Sequence, residues 1–183
     1  NAIEAACRKH PQANHRHTLQ HGQMITEAQF KRMHNLGMGV NLFANHIWYF
    51  GDQHYEVTQG PDRAMRMDAC RSALSNGVPL TIHSDAPVTA LNPLFTAWCA
   101  VNRLTPKGRI LGPYQRLTVQ EALHAITLGG AYSMHVDADV GSIECGKKAD
   151  FAVLGDDPLA VDPMALKDVP VHGTVVGGIV HLT

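Results

Sequence analysis

Three short apolar runs, "HTLQH" at 17–21, "MGVNLFA" at 38–44 and "VPLTIHSD" at 78–85, each lead on to a helical pattern. Parallel strands cannot be joined by tight hairpins, and the usual link between them is a helix. Strand and helix alternating three times therefore predict parallel β/α units and an α/β fold. The helices carry their own start and stop signals. Residues 2–9 read as a helix limited by Pro11. Thr26 and Gln29 form a capping box that opens a helix with Phe30, Met33 and Leu36 on one face and Gly37 at its end. A helix over about 62–75 places Met67, Cys70 and Leu74 together and stops at Asn76-Gly77. Asn92-Pro93 supplies an N-cap and a first-turn proline, with Leu94, Trp98 and Val101 directed inward. Thr118 and Glu121 make a second capping box, whose helix runs to Gly129-Gly130, with a short helix expected around Ala131 to His135. "NHIWYFGDQHYEVTQGPD", residues 45–62, reads as a long polar and aromatic loop.

From about Val140 the texture changes. "GSIECGKKADFAVLG" and "VHGTVVGGIVHL" are short β-rich runs between turns. A boundary there divides the chain into segments 1–139 and 140–183. No repeat of solenoid length is visible.

Composition narrows the function. The chain has 183 residues, of which 45% are hydrophobic and 17% charged, enough apolar material for a real core and too little charge for a disordered chain. The net charge is −1 and the basic residues are scattered, which excludes the basic footprint of a nucleic-acid binder. No apolar run reaches the roughly 20 residues that cross a membrane. Cys7, Cys70, Cys99 and Cys145 stand far apart without a C-x-x-C pair, which argues against a zinc ribbon or a disulfide framework and for a reducing, cytoplasmic setting.

The polar residues that matter in a parallel α/β fold are those at the C-terminal ends of strands. His21 ends the first run and Asp85 the third, 64 residues apart. A (β/α)8 barrel of about 250 residues has roughly 31 residues per unit, so these two would stand two strands apart above one pit. Imidazole and carboxylate are both ligands for a divalent metal such as zinc. On spacing alone a structural use remains open, because Ser-Asp after a strand is also a common turn. Ser84 lacks the G-x-S-x-G elbow of a nucleophilic serine hydrolase.

"HTLQHGQ", "GVPLTIHSDAPV", "LTVQEALHAITLGGA" and "VGSIECGKKADFAVLGDDPL" occur in that order. Together they resemble the C-terminal part of the metal-dependent amidohydrolase superfamily, within its amidohydrolase 3, or YtcJ-like, group. The resemblance implies a TIM barrel whose strands 6, 7 and 8 are the three runs, followed by part of a small β-sandwich-like domain. It implies that His21 ligates metal and that Asp85 both contacts metal and acts as general base toward the attacking water. The reaction implied is hydrolysis of an amide or related C–N bond in a small molecule. Loops after barrel strands carry substrate contacts, which makes Trp48, His46 and His54 candidates, with Trp48 as a pocket wall.

This sequence departs from the family pattern in what it lacks. The His-x-His pair of strand 1, the bridging carboxylate or carboxylated lysine near strand 4 and the histidine of strand 5 have no counterpart. His83 reads as core or as support for the site, and His17 has no role to assign. The expectation is a C-terminal fragment, inactive alone, completed by further polypeptide or another subunit. The alternative is a non-catalytic homo-oligomeric scaffold that buries its open strands between copies.

Overall fold

A computed structural model describes residues 1–182. The last residue of the expected second segment, Thr183, lies outside the described residues. Helix α1 (Ala2–Lys9) precedes strand β1 (Thr18–His21), and α2 (Glu27–Asn35) leads to β2 (Gly39–Leu42). After β2 come α3 (His46–Gln53), a π-helical turn (His54–Thr58), α4 (Pro61–Ala64) and α5 (Cys70–Ser75), then β3 (Leu80–Ile82). Helices α6 (Pro93–Asn102), α7 (Val119–Ile126) and α8 (Leu128–Ser133) follow.

Strands β1, β2 and β3 form one parallel sheet in that order, as the alternation requires. Its register pairs His21 with Leu42 and Leu42 with Ile82, so the three strands end at one level. Both capping boxes form. Thr26 Oγ1 accepts from Gln29 N and Thr118 Oγ1 accepts from Glu121 N, while each box's Gln or Glu side chain accepts from the cap N–H. Asn92 Oδ1 accepts from Phe95 N at 3.0 Å and fixes the start of α6.

The expected loop at 45–62 is mostly helical. Its polar composition concealed a helix that buries Ile47 and Gly51. A Cβ on Gly51 would stand 2.7 Å from Leu111 Cδ1 and 2.9 Å from Thr105 Cγ2, so α3 is seated as deeply as a glycine allows. The single helix expected at 62–75 is two helices, because Asp68 takes φ +47° and its N–H bonds to Gln23 O at 2.9 Å. The helix from Thr118 stops at Ile126, since Thr127 leaves helical geometry at φ −116°, ψ −92°, and α8 starts three residues earlier than expected.

The core lies between the sheet and its helices, with Phe30, Val40, Leu42, Ala73, Trp98 and Ala122 buried together. The two sheet edges differ. Beside β3, a Cβ on Gly129 of α8 would meet the Leu80 carbonyl oxygen at 2.5 Å, so α8 lies against that edge. Strand β1 has no strand on its outer side among the described residues, and its Leu19 is 42% exposed.

Beyond Val140 the β character holds. Strands β4 (Phe151–Leu154), β5 (Val171–Val176) and β6 (Ile179–Leu182) form a separate antiparallel sheet. Between β4 and β5 a 3-10 turn, Pro163–Asp168, packs on α6. There Trp98 Nε1 donates to Met164 O, Asn102 Nδ2 donates to Pro163 O, both at 2.9 Å, and Leu166 is buried.

Candidate metal and catalytic site

Strand β1 ends in two consecutive left-handed residues, His21 at φ +63° and Gly22 at φ +56°. Asp85, just past β3, has φ +54°. Non-glycine residues rarely hold this conformation, although His and Asp do so more readily than most. The backbone turn at each strand tip swings the side chain over the end of the sheet. His21 Nε2 then lies 3.2 Å from Asp85 Oδ2, and the two side chains are 48% and 36% exposed. A spacing of 64 residues has become a direct contact.

Asp85 sits in a braced turn. Its carbonyl accepts from Val88 N at 2.7 Å, while Thr89 Oγ1 donates to Ser84 O. Asn45 Nδ2 donates to Thr89 Oγ1 at 2.8 Å, which ties this turn to the end of β2.

Phe43, which the sequence reading passed over, is the hub beneath these groups. Its ring centroid lies 4.1 Å from that of His46, 5.2 Å from His83 and 6.0 Å from His21. The His83 ring is 5.0 Å from His21, and its Nε2 is buried without a partner. Burial first, and then the neighbouring His21, push the His83 imidazole down to about 4. His83 therefore stands neutral beside the pair.

His46 opens α3, and its Nδ1 faces the wholly buried Asp68. His54 follows on the π-helical turn, 6.1 Å from His46 between ring centres, with its Nδ1 2.6 Å from Thr58 Oγ1. Its imidazole is held below the usual value by burial, with a smaller effect from the neighbouring His46. The sequence candidates His21, Asp85, His46 and His54 thus gather at one end of the sheet through Phe43. Trp48 does not join them. It is partly buried, packing on Trp98 at 5.3 Å and Phe95 at 6.0 Å between α3 and α6. His17 stacks on His15 near the start of β1, away from this end.

A model of the amidohydrolase family matches residues 1–181. The chain belongs to the amidohydrolase family. Among its relatives, N-substituted formamide deformylase of Arthrobacter pascens is 32% identical, over 89% of this chain and 30% of that protein. The putative amidohydrolase YtcJ of Bacillus subtilis is 31% identical, over 97% of this chain and 34% of that protein. The chain spans about a third of the length of these curated relatives. Among solved structures, an uncharacterized metal-dependent hydrolase from Pyrococcus horikoshii superposes with a TM-score of 0.70 at 25% identity, covering 88% of this chain and 33% of that one. An adenosine deaminase from Xanthomonas campestris with bound zinc gives 0.66 at 19% identity, covering 99% and 43%, a likeness of fold.

The donor chemistry can be tested against a metal directly. An imidazole nitrogen and a carboxylate oxygen converging at 3.2 Å on the open end of a sheet suit a borderline divalent ion. Two donors do not make a site, which takes at least three protein ligands. Among the described residues no group of three or more His, Cys, Asp or Glu is placed to hold a metal. Nor does any described helix have the length and apolarity to cross a membrane.

Proposed function

We propose that this amidohydrolase chain supplies part of the catalytic end of a metal-dependent hydrolase acting on an amide or related C–N bond. One observation carries the reading: His21 and Asp85, on the left-handed tips of strands two apart in a parallel sheet, converge at 3.2 Å. In this reading β1, β2 and β3 are strands 6, 7 and 8 of a TIM barrel. Residues 1–139 belong to the barrel, and 140–183 to a small composite β domain. The remaining donors come from polypeptide beyond these residues or from another subunit. The bare outer edge of β1 supports that, because an open parallel sheet is stable only when its edges and faces are covered.

His21 and Asp85 would hold the ion. A divalent ion such as zinc held there would make its water acidic near neutral pH and would polarise the scissile carbonyl. Asp85 takes the proton from the attacking water as the new C–O bond forms. It returns that proton to the nitrogen as the C–N bond breaks, releasing an acid and an amine. His21 would bind the ion through a ring nitrogen lone pair. Phe43 would lie beneath the substrate as an apolar floor, and His46 and His54 would face the small-molecule substrate. One relative, N-substituted formamide deformylase, makes N-substituted formamides the first substrates to try.

The test is hydrolysis of an N-substituted formamide panel by the protein carrying this chain together with the rest of the barrel. Asp85→Asn should lower kcat by about 100-fold or more while the protein stays folded. Retained kcat would remove Asp85 from the chemistry. A second reading, a non-catalytic homo-oligomeric scaffold, has support in the exposed apolar side chains of β6. Full activity in a monomer would end it.

A further inference from the structure

Asp68 is the least expected residue of the molecule. Its carboxylate is wholly buried, where an unpaired charge is costly. Among the described residues one side chain addresses it. His46 Nδ1 lies 3.4 Å from Oδ1 and 3.3 Å from Oδ2, and no donor reaches Oδ2 in hydrogen-bonding geometry. A carboxylate serving only structure would collect several donors. This one spends its burial on a single imidazole.

The mount beneath it is rigid. The wholly buried Arg103 guanidinium donates to Asp68 O at 2.9 Å and to Met67 O at 2.7 Å, and also holds Leu111 O. Asp68 N donates to Gln23 O at 2.9 Å. These bonds fix residues 67–68 in the left-handed turn that splits α4 from α5 and aims the carboxylate at α3. Burial raises the Asp68 carboxyl above its usual range, and His46, Arg103 and His54 oppose that shift.

We propose that Asp68 is a positioning residue that fixes His46 as the Nδ1–H tautomer and so presents Nε2 as a hydrogen-bond acceptor to a substrate N–H. The orientation follows from chemistry. A carboxylate only accepts, so the nitrogen facing it carries the proton and the other ring nitrogen carries a lone pair. No described residue hydrogen-bonds His46 Nε2. The His46 ring leans on Phe43 at 4.1 Å, and the same Phe43 ring contacts His21. Phe43 thus links the His46 ring to the His21–Asp85 pair. An acceptor at Nε2 selects substrates with an N–H, such as secondary amides, over fully substituted ones. The inference rests on the hydrolase reading for its substrate, and on the geometry alone for the tautomer.

Nitrogen-15 histidine NMR on the 183-residue chain tests it without metal or turnover. The expected result is His46 protonated at Nδ1 with a bare Nε2. Asp68→Asn, close to isosteric, should let both tautomers populate while the other histidine signals stay in place. N-methylformamide, which has one N–H, should shift His46 Nε2, and N,N-dimethylformamide, which has none, should not. A His46 proton on Nε2 in the unsubstituted chain, as when Asp68 is itself the donor, overturns the proposal, and so does an equal or absent response to the two amides. Those failures leave the His21–Asp85 reading intact. An assembled protein without metal or hydrolysis would sink that reading and leave the tautomer standing.

Discussion

Two sheets of three strands lie in this chain, and their apolar residues fare differently. In the parallel sheet Val40 and Leu42 are wholly buried, and Leu80 and Ile82 nearly so. In the antiparallel sheet Ile179 is 66% exposed, Leu182 is 83% exposed and Val180 also faces solvent. Ile179 and Val180 are adjacent in one strand, so they point to opposite faces, and both faces are open. Both sets of strands carry enough Val, Ile and Leu to read as β structure. What differs is the second layer. Helices α2, α5, α6 and α7 cover the first sheet, whereas the second is anchored mainly through the 3-10 turn that inserts Leu166 under α6. Burial belongs to packed layers, and apolar strands without a layer gain little from their composition.

Urea unfolding with single substitutions can break that contrast. Trp98→Ala should cost about 3–5 kcal/mol, because a wholly buried indole leaves a cavity and an unpaired Met164 carbonyl. Ile179→Ala should stay within about 0.5 kcal/mol, as for an ordinary surface change. Comparable losses at the two sites would mean that the second sheet has a core after all. Arg103→Met should cost about 3 kcal/mol, since it strands three backbone carbonyls and removes the cation nearest Asp68. Gly129→Ala should cost about 1–3 kcal/mol by pushing α8 off the Leu80 carbonyl at the β3 edge. If Gly129→Ala is neutral, that edge is not held as described.

The smallest effect concerns pH. The Arg71 hydrogen bond, with help from the Thr118 cap, draws the Glu121 carboxyl down to about 2 from 4.5. A depressed carboxyl stabilises the folded chain above its unfolded value. That contribution fades as pH falls from about 4.5 toward 2. The pair is about a third exposed, so the contribution is about 1 kcal/mol or less. Denaturation midpoints of the unsubstituted chain and Glu121→Gln should converge as pH drops through this window. A constant gap would deny the linkage.

The parallel sheet, both capping boxes and the His21–Asp85 pairing were legible because each rests on local signals: strand–helix alternation, S/T-x-x-E/Q spacing and the period of a β/α unit. The helix at 46–53 was not. Asn45 spends its amide on Thr89 rather than on a cap, so nothing marked the helix start. Trp48 drew attention as an aromatic in a candidate loop, and on the helix it is partly buried against Trp98 and Phe95. Phe43, Asp68 and Arg103 were missed because their meaning is tertiary. Asp68 breaks a helix only through partners at Gln23 and Arg103, each more than 30 positions away in the chain. Asp68, one of two charged residues in "MRMDAC" and flanked there by apolar neighbours, was the one local clue.

We propose that these residues hold two donors of a hydrolytic metal site and not the whole of it. Equilibrium dialysis of the isolated 183-residue chain against zinc, followed by an amide hydrolysis assay on the same sample, tests this directly. The account expects no stoichiometric zinc and no turnover. One tightly bound zinc per chain with measurable hydrolysis would contradict it.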